Sequence, residues 1–112
     1  MKKRKDLSVQ EIMKPYRQEI DALDLKLLKL LGRRFEIMRE VGDYKLKHGL
    51  PPYIVDRVNE VRENAIRNGA KYGINKNFLW AFWSFLIYQS CATEEEVQDA
   101  RRKAKAKTGK KK

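Results

Sequence analysis

Apolar residues recur every three or four positions along most of this 112-residue chain, which is the spacing of one face of an α-helix. The longest such stripe covers residues 20–41, and a turn rich in glycine and proline follows it at residues 49–52. No alternating pattern of useful length indicates a β-strand. The sequence therefore predicts an all-α chain of three helices, at residues 8 or 14 to 47, 55 or 56 to 68, and 75 to 100.

The first predicted helix is too long for the two others to cover. About 32 residues at 1.5 Å each make it roughly 48 Å long, whereas a mean helix has about 11 or 12 residues. Its apolar stripe therefore needs a coiled-coil partner or a second copy of the chain. We expect one helical domain over residues 8–100 that forms an intertwined homodimer.

The formal charge of +11 is concentrated at the two ends of the chain. Segments 2–5 and 101–112 hold 12 of the 26 Lys and Arg residues, which leaves 14 basic against 15 acidic side chains in the body. We expect residues 1–7 and 101–112 to be basic disordered tails that bind nucleic acid only nonspecifically. A different class of function, that of a nucleic-acid-binding helical protein, rests on these tails alone, because the near-neutral body contains no recognisable nucleic-acid motif.

The cysteine count and the uncharged segments indicate a cytoplasmic protein with no membrane association. A single cysteine, Cys91, excludes an internal disulfide, and no apolar secretory segment follows the first five residues. The longest uncharged run, residues 78–93, has 16 residues and contains several polar side chains. A membrane span needs roughly 20 apolar residues, so this run predicts a buried helix.

Two cations lie in the apolar stripe of the first predicted helix. Arg34 and Lys45 are eleven residues apart, which places them within about 20° of each other around the helix axis and about 16 Å apart along it. A buried unpaired cation is very costly. No acidic residue lies three or four positions from either cation on this stripe. The missing anion could therefore be a ligand.

Two further arginines could contribute to the same site. Arg17 lies 17 residues before Arg34 and about 100° away around the helix, so it cannot easily serve that site in its own chain. In an antiparallel or crossed dimer it could reach the partner's site. Arg57 follows the Pro-Pro turn and could supply a fourth cation. The alternative is that all four are ordinary surface cations.

The segment YRQEIDALDLKLLKLLGRRFEIMREVGDYKLKHGLP, followed by DRVNEV and FLWAFWSFLIYQSCATEE, resembles the all-helical, AroQ-class (type II) chorismate mutases over residues 16–96. The shared motif is R-x-x-I-D-x-I/L-D-x-x-L-L-x-L-L-x-x-R with a lysine eleven residues later. The resemblance implies the chorismate mutase II fold and a homodimer in which each site takes one arginine from the partner's long helix. It also implies the pericyclic rearrangement of chorismate to prephenate in phenylalanine and tyrosine biosynthesis, with no nucleophile, metal or cofactor.

The roles that the resemblance implies follow position by position. Arg17 comes from the other subunit to one substrate carboxylate, and Arg34 pairs with the second. Lys45 and Glu94 donate to the ether oxygen, so that Lys45, Glu94 and Arg34 are the expected catalytic residues. The family's remaining substrate-binding positions fall on Arg57, Ser90, Ile54 and Val58.

Three features depart from the family's pattern. Ile54 and Val58 occupy the positions where many members have acids that contact the ring hydroxyl, and the segment around them also resembles the related isochorismate pyruvate lyases. A salicylate-forming lyase is therefore the alternative activity, and a non-catalytic relative is a further one. Glu94 replaces the glutamine common in the family, and a carboxyl group can donate a hydrogen bond only when protonated.

Overall fold

The chain consists of three α-helices within residues 7–109, which are the residues that the computed structural model describes. These are α1 (Val9–Lys47), α2 (Val55–Ala70) and α3 (Lys76–Gly109). The predicted all-α chain with one long N-terminal helix is confirmed, and α1 has 39 residues. The remaining parts of the predicted tails, residues 1–6 and 110–112, lie outside the described residues. No helix in the described part of the chain is both long and apolar enough to cross a membrane.

Side-chain caps begin two of the helices where the sequence predicts them. The Ser8 hydroxyl accepts a hydrogen bond from the backbone N–H of Glu11 at 3.2 Å, so α1 starts at the earlier of the two expected positions. The Asn75 side chain accepts from the N–H groups of Asn77 and Phe78 at 2.8 and 3.1 Å and caps α3 in the same way. Both caps satisfy N–H groups that have no partner within the helix.

The third helix continues nine residues beyond its predicted end at Ala100. Residues 101–109 are helical, whereas the sequence predicted that this basic segment would be disordered. Arginine, lysine and alanine are good helix formers, and neither glycine nor proline interrupts them before Gly109. Arg101 also donates to the Asp43 carboxylate of α1 at 3.0 Å. Helix propensity is therefore the local reason that α3 continues through this segment, and the largely exposed ion pair adds a contact with α1.

The described residues fall into two compact units, one ending at Arg34 and the other beginning at Phe35. The first unit contains the N-terminal part of α1. Its stripe leucines are largely exposed, with Leu23 at 57%, Leu27 at 48% and Leu30 at 69%.

The second unit has its core between α2 and α3, formed by Val58, Leu79, Leu86 and Ile87. Gly69 allows the close approach of the two helices, because a Cβ built there would lie 2.6 Å from both terminal methyl carbons of Leu79. The Arg62 side chain extends from α2 and donates to the Ser84 hydroxyl at 2.8 Å. These contacts hold α2 against the first half of α3. The second half of α3 lies beyond them.

Candidate active site

The buried stripe of α3 changes from apolar to polar after Leu86. Ser90, Glu94 and Gln98 follow at intervals of four residues, on one face of the helix. They are 3%, 3% and 0% exposed. Burying polar groups costs free energy unless they find hydrogen-bond or ionic partners. Each of these three buried side chains therefore needs a specific hydrogen-bond or ionic partner.

An ion pair between α1 and α3 lies at the centre of this polar region. The Lys45 ammonium is 2.7 Å from a carboxylate oxygen of Glu94, and the two side chains are only 17% and 4% exposed. Ionic contacts between buried groups are stronger than those on the surface because water screens them less. Glu94 of α3 therefore supplies an anionic partner for Lys45 of α1.

The turn after α1 fixes the ammonium group from a second side. Lys45 Nζ also donates to the backbone carbonyl of Pro52 at 2.9 Å. The chain returns to this point because Gly49 adopts a positive φ of 69°, which a glycine tolerates without strain. Leu50 N–H then donates back to the Lys45 carbonyl at 2.8 Å, which closes the helix end. The sequence Gly49-Leu50-Pro51-Pro52 thus orients the lysine as well as ending its helix.

Gly42 lies where α1 crosses α3, three residues before Lys45. A Cβ built on Gly42 would lie 2.8 Å from Glu94 Cα and 2.9 Å from the Glu94 carbonyl oxygen. These distances are too short for any side chain, so only glycine lets the two backbones approach this closely. The crossing places the backbone of α1 directly against the residue that pairs with Lys45.

The structure distributes the other predicted site residues over the second unit. Ser90 is buried one turn before Glu94, and its hydroxyl donates to the Leu86 carbonyl at 2.7 Å. Val58 is buried in the α2–α3 core, while Ile54 is half-buried at the start of α2. Arg57 is exposed and pairs with Glu60 on its own helix. Among these predicted residues, Lys45 and Glu94 are in direct contact.

Arg17 and Arg34 belong to the first unit, on the N-terminal part of α1. Arg17 is exposed and Arg34 is half-buried. The role of each at a substrate site remains a prediction.

Two features of this region were not singled out from the sequence. Gly42 resembles any glycine in a helix until the crossing with α3 is known, and Gln98 lies beyond the segment that carries the family resemblance. For Gln98 the sequence contains a usable signal, because Ser90, Glu94 and Gln98 continue the apolar stripe of α3 at intervals of four residues.

The region offers ionic and hydrogen-bond donors to a ligand. Within residues 7–109 no group of three or more His, Cys, Asp or Glu side chains could hold a metal ion. The ammonium of Lys45 can donate to an oxygen atom, and Glu94 can do so when protonated. A half-buried cation next to such a donor can stabilise negative charge that develops on a bound oxygen.

Comparison with known proteins relates the sequence of this chain to one enzyme family. The family model described as chorismate mutase type II matches residues 16–95, which is most of the chain. The matched segment includes Lys45 and Glu94.

Individual relatives agree with that match. A 4-amino-4-deoxychorismate mutase of Streptomyces venezuelae is 32% identical over 91 residues, covering 81% of this chain and 88% of the relative. A protein of the same name from Streptomyces pristinaespiralis is 34% identical over 80 residues, and the match covers 62% of it. The bifunctional chorismate mutase/prephenate dehydratase of Escherichia coli K12 is 33% identical over 81 residues, which cover 72% of this chain but 21% of that protein.

Proposed function

Because the chain belongs to the chorismate mutase type II family, we propose that it converts chorismate to prephenate, with Lys45 and Glu94 as the groups that meet the substrate's ether oxygen. The observation that supports this most is the ion pair itself, 2.7 Å between two largely buried side chains from different helices. Burying two charges costs desolvation free energy, so a buried ion pair contributes little to stability. Its presence therefore favours a functional reason for the position of the two groups.

The reaction requires no covalent chemistry from the protein. The ether C–O bond of chorismate breaks while a C–C bond forms within the same molecule, so the product is an isomer and no group is transferred to the enzyme. Negative charge develops on the ether oxygen as the C–O bond lengthens. A preorganised donor such as Lys45 Nζ lowers this barrier, because it is already held by Glu94 and by the Pro52 carbonyl.

Chorismate is a dianion, and the proposed cation set suits its two carboxylates. We assign one carboxylate to Arg34 and the other to Arg17 of a second subunit, with Arg57 and Ser90 as additional binding groups. Arginine binds carboxylates through two parallel hydrogen bonds, which fixes orientation as well as charge. Two such contacts would hold the substrate in the folded conformation from which the new C–C bond can form.

The dimer is part of the proposal because Arg17 would act in the partner's site. Leu23, Leu27 and Leu30 of α1 are between 48% and 69% exposed, and they recur at alternating spacings of four and three residues. An exposed apolar stripe of this kind is typical of a helix–helix interface. A second copy of α1 is the partner that the proposed sharing of Arg17 requires.

Mixing two inactive variants would test the shared site. Arg17→Ala and Lys45→Gln homodimers should each be nearly inactive. In a mixed dimer, one site receives an intact Lys45 from one chain and an intact Arg17 from the other. Random 1:1 association should therefore restore about one quarter of the wild-type activity per chain, since half of the dimers are mixed and each has one intact site.

The control for this experiment is the mixing of Lys45→Gln with Glu94→Ala. Both residues belong to the same chain's site, so every site in a mixed dimer lacks one of the two, and mixing should restore nothing. No recovery in the Arg17 and Lys45 mixture, with mixed dimers verified by mass, would contradict a site shared between subunits.

A second candidate substrate is 4-amino-4-deoxychorismate, which carries an amino group in place of the ring hydroxyl. Two of the relatives bear the name of a mutase for this compound. In this chain Val58 is 6% exposed and apolar, at the position where the resemblance would place an acid for the hydroxyl. Without that carboxylate the site lacks a group that would favour the hydroxyl of chorismate over the amino group of the analogue.

Offering the purified protein chorismate, its 4-amino analogue and isochorismate separately distinguishes the candidates. Prephenate from chorismate supports the main proposal, and a higher kcat/KM for the amino analogue supports the second. Pyruvate and salicylate from isochorismate would indicate the lyase instead. If none of the three compounds is consumed, the proposed activity is wrong.

A further inference from the structure

Gln98 is the most deeply buried polar residue among those that the structure describes. It is 0% exposed and lies on α3 four residues after Glu94, which is one helical turn. The matched family segment ends at residue 95 and so does not include it. Its side chain makes three hydrogen bonds, and two of them reach the segments on either side of Lys45.

The amide nitrogen of Gln98 bridges two segments that flank Lys45 in the chain. Nε2 donates to the carbonyl of Gly42 at 3.1 Å and to the carbonyl of Leu50 at 3.3 Å. Gly42 precedes Lys45 by three residues on α1. Leu50 donates its N–H to the Lys45 carbonyl. One side chain therefore holds both the helical turn before Lys45 and the loop after it.

The loop that Gln98 holds is also the loop that binds the ammonium group. Two residues after Leu50, the Pro52 carbonyl accepts a hydrogen bond from Lys45 Nζ at 2.9 Å. A shift of Leu50 would move this carbonyl. A shift of Gly42 would alter the crossing where the α1 backbone meets Glu94, which leaves no room for a Cβ. The positions of the Pro52 carbonyl and of Glu94 relative to Lys45 thus depend on the two backbone segments that are hydrogen-bonded to Gln98.

The orientation of the Gln98 amide is set by a third contact. Its oxygen accepts a hydrogen bond from Arg102 Nη2 at 3.3 Å, and Arg102 also donates to Asp99 at 3.2 Å. With the oxygen directed to a cation, the NH₂ group is directed to the two carbonyls. Glutamate could not replace it, because a carboxylate would face two carbonyl oxygens. Methionine would fill the same volume without any donor.

We propose that Gln98 is a positioning residue, one that sets the placement of Lys45 against Glu94 and so controls the turnover rate. As a statement about rate, this rests on the mutase activity proposed above. Gln98 itself does not contact the substrate. It acts through the two carbonyls that fix the lysine, so its loss should lower kcat and leave the arginine-dependent binding of substrate, and therefore KM, nearly unchanged.

The test compares Gln98→Met with a variant that is destabilised elsewhere. Gln98→Met should lower kcat about tenfold, because small displacements of a catalytic group have large effects on rate, with KM changed less than about twofold. Leu79→Ala removes a core side chain that is 2% exposed and that lies 15 residues before Glu94, roughly 22 Å along α3. It should lower the melting temperature but leave kcat per folded molecule unchanged.

A second readout does not depend on activity. Ammonium protons of a lysine held by buried acceptors exchange slowly enough for detection by ¹H–¹⁵N NMR, and the Lys45 signal can be assigned by its loss in Lys45→Gln. Gln98→Met should weaken or abolish this signal, and Leu79→Ala should keep it. If Gln98→Met does not fold, Gln98→Asn, whose amide is one methylene too short to reach both carbonyls, should show the same two effects.

The outcomes separate the two proposals. A normal kcat together with an unchanged Lys45 signal in the folded Gln98 variant would overturn the positioning role and leave Gln98 as a core residue. If the wild-type protein does not act on chorismate or its amino analogue, the proposed function fails, and the ammonium signal alone then decides whether Gln98 positions Lys45.

Discussion

Replacing Lys45 with glutamine is expected to lower kcat/KM roughly 100- to 1,000-fold, which is the usual effect of removing one preorganised donor from a developing oxyanion. The amide of the introduced glutamine can still donate to Glu94, so the buried carboxylate keeps a hydrogen-bond partner and the fold should persist. The positive charge that would stabilise the ether oxygen is lost. Steady-state rates, with circular dichroism to verify folding, measure the effect.

The matched control is Lys47→Gln, two residues further along the same helix. The Lys47 side chain is 72% exposed and its ammonium lies 3.9 Å from Asp43. Exposed ion pairs of this kind contribute little, and the rate should stay within about twofold of wild type. Equal losses in the two variants would mean that general charge attracts the substrate and that Lys45 has no special role.

Gly42→Ala is expected to have the second largest effect, on both stability and rate. The new Cβ would lie 2.8 Å from Glu94 Cα, so α1 and α3 must separate. Overpacking of this kind costs roughly 1–3 kcal/mol of folding free energy. The separation would also disturb the 2.7 Å contact between Lys45 and Glu94, and a displacement of about 1 Å can lower a rate roughly 100-fold. Chemical denaturation and kcat measured on the folded protein report the two effects separately.

Gly32→Ala provides the comparison for this substitution. It lies on the same helix, and a Cβ built there has no heavy atom within 4 Å. Alanine favours a helix over glycine by up to about 1 kcal/mol, so this variant should be as stable as wild type or more so. Wild-type stability and rate in Gly42→Ala would show that the helices can separate at no cost, contrary to the close crossing of α1 and α3.

The sequence predicts the elements of this fold well because their signals are local. Ser8 and Asn75 are N-caps that a short segment reveals, and the leucine stripe of α1 needs only the helical period. The end of α3 was predicted wrongly for a related reason. The cluster of lysines and arginines after Ala100 predicts a solvated tail, although the same residues are good helix formers and Arg101 has an acidic partner on another helix.

The candidate site is harder to predict because its contacts are between distant segments. Helical periodicity places Lys45 in an apolar stripe, where a cation is unusual. The pattern gives information only about neighbours on the same helix. The partner, Glu94, is 49 residues later, and the family resemblance rather than the spacing placed it at the same site. The contact of Gly42 with Glu94 and the carbonyl partners of Gln98 depend on a helix crossing that no local pattern encodes, so the structure was needed to find them.

The pH dependence of kcat tests the central claim, that Glu94 and Lys45 together meet the ether oxygen. The ammonium 2.7 Å away favours the ionised form of Glu94, whereas donation to the ether oxygen requires the protonated form. The wild-type kcat should therefore decrease as pH rises from about 5 to 8. Glu94→Gln, whose amide donates at every pH, should show a nearly flat profile over the same range. A wild-type kcat that does not change with pH would contradict the role of Glu94 and with it the proposed pair.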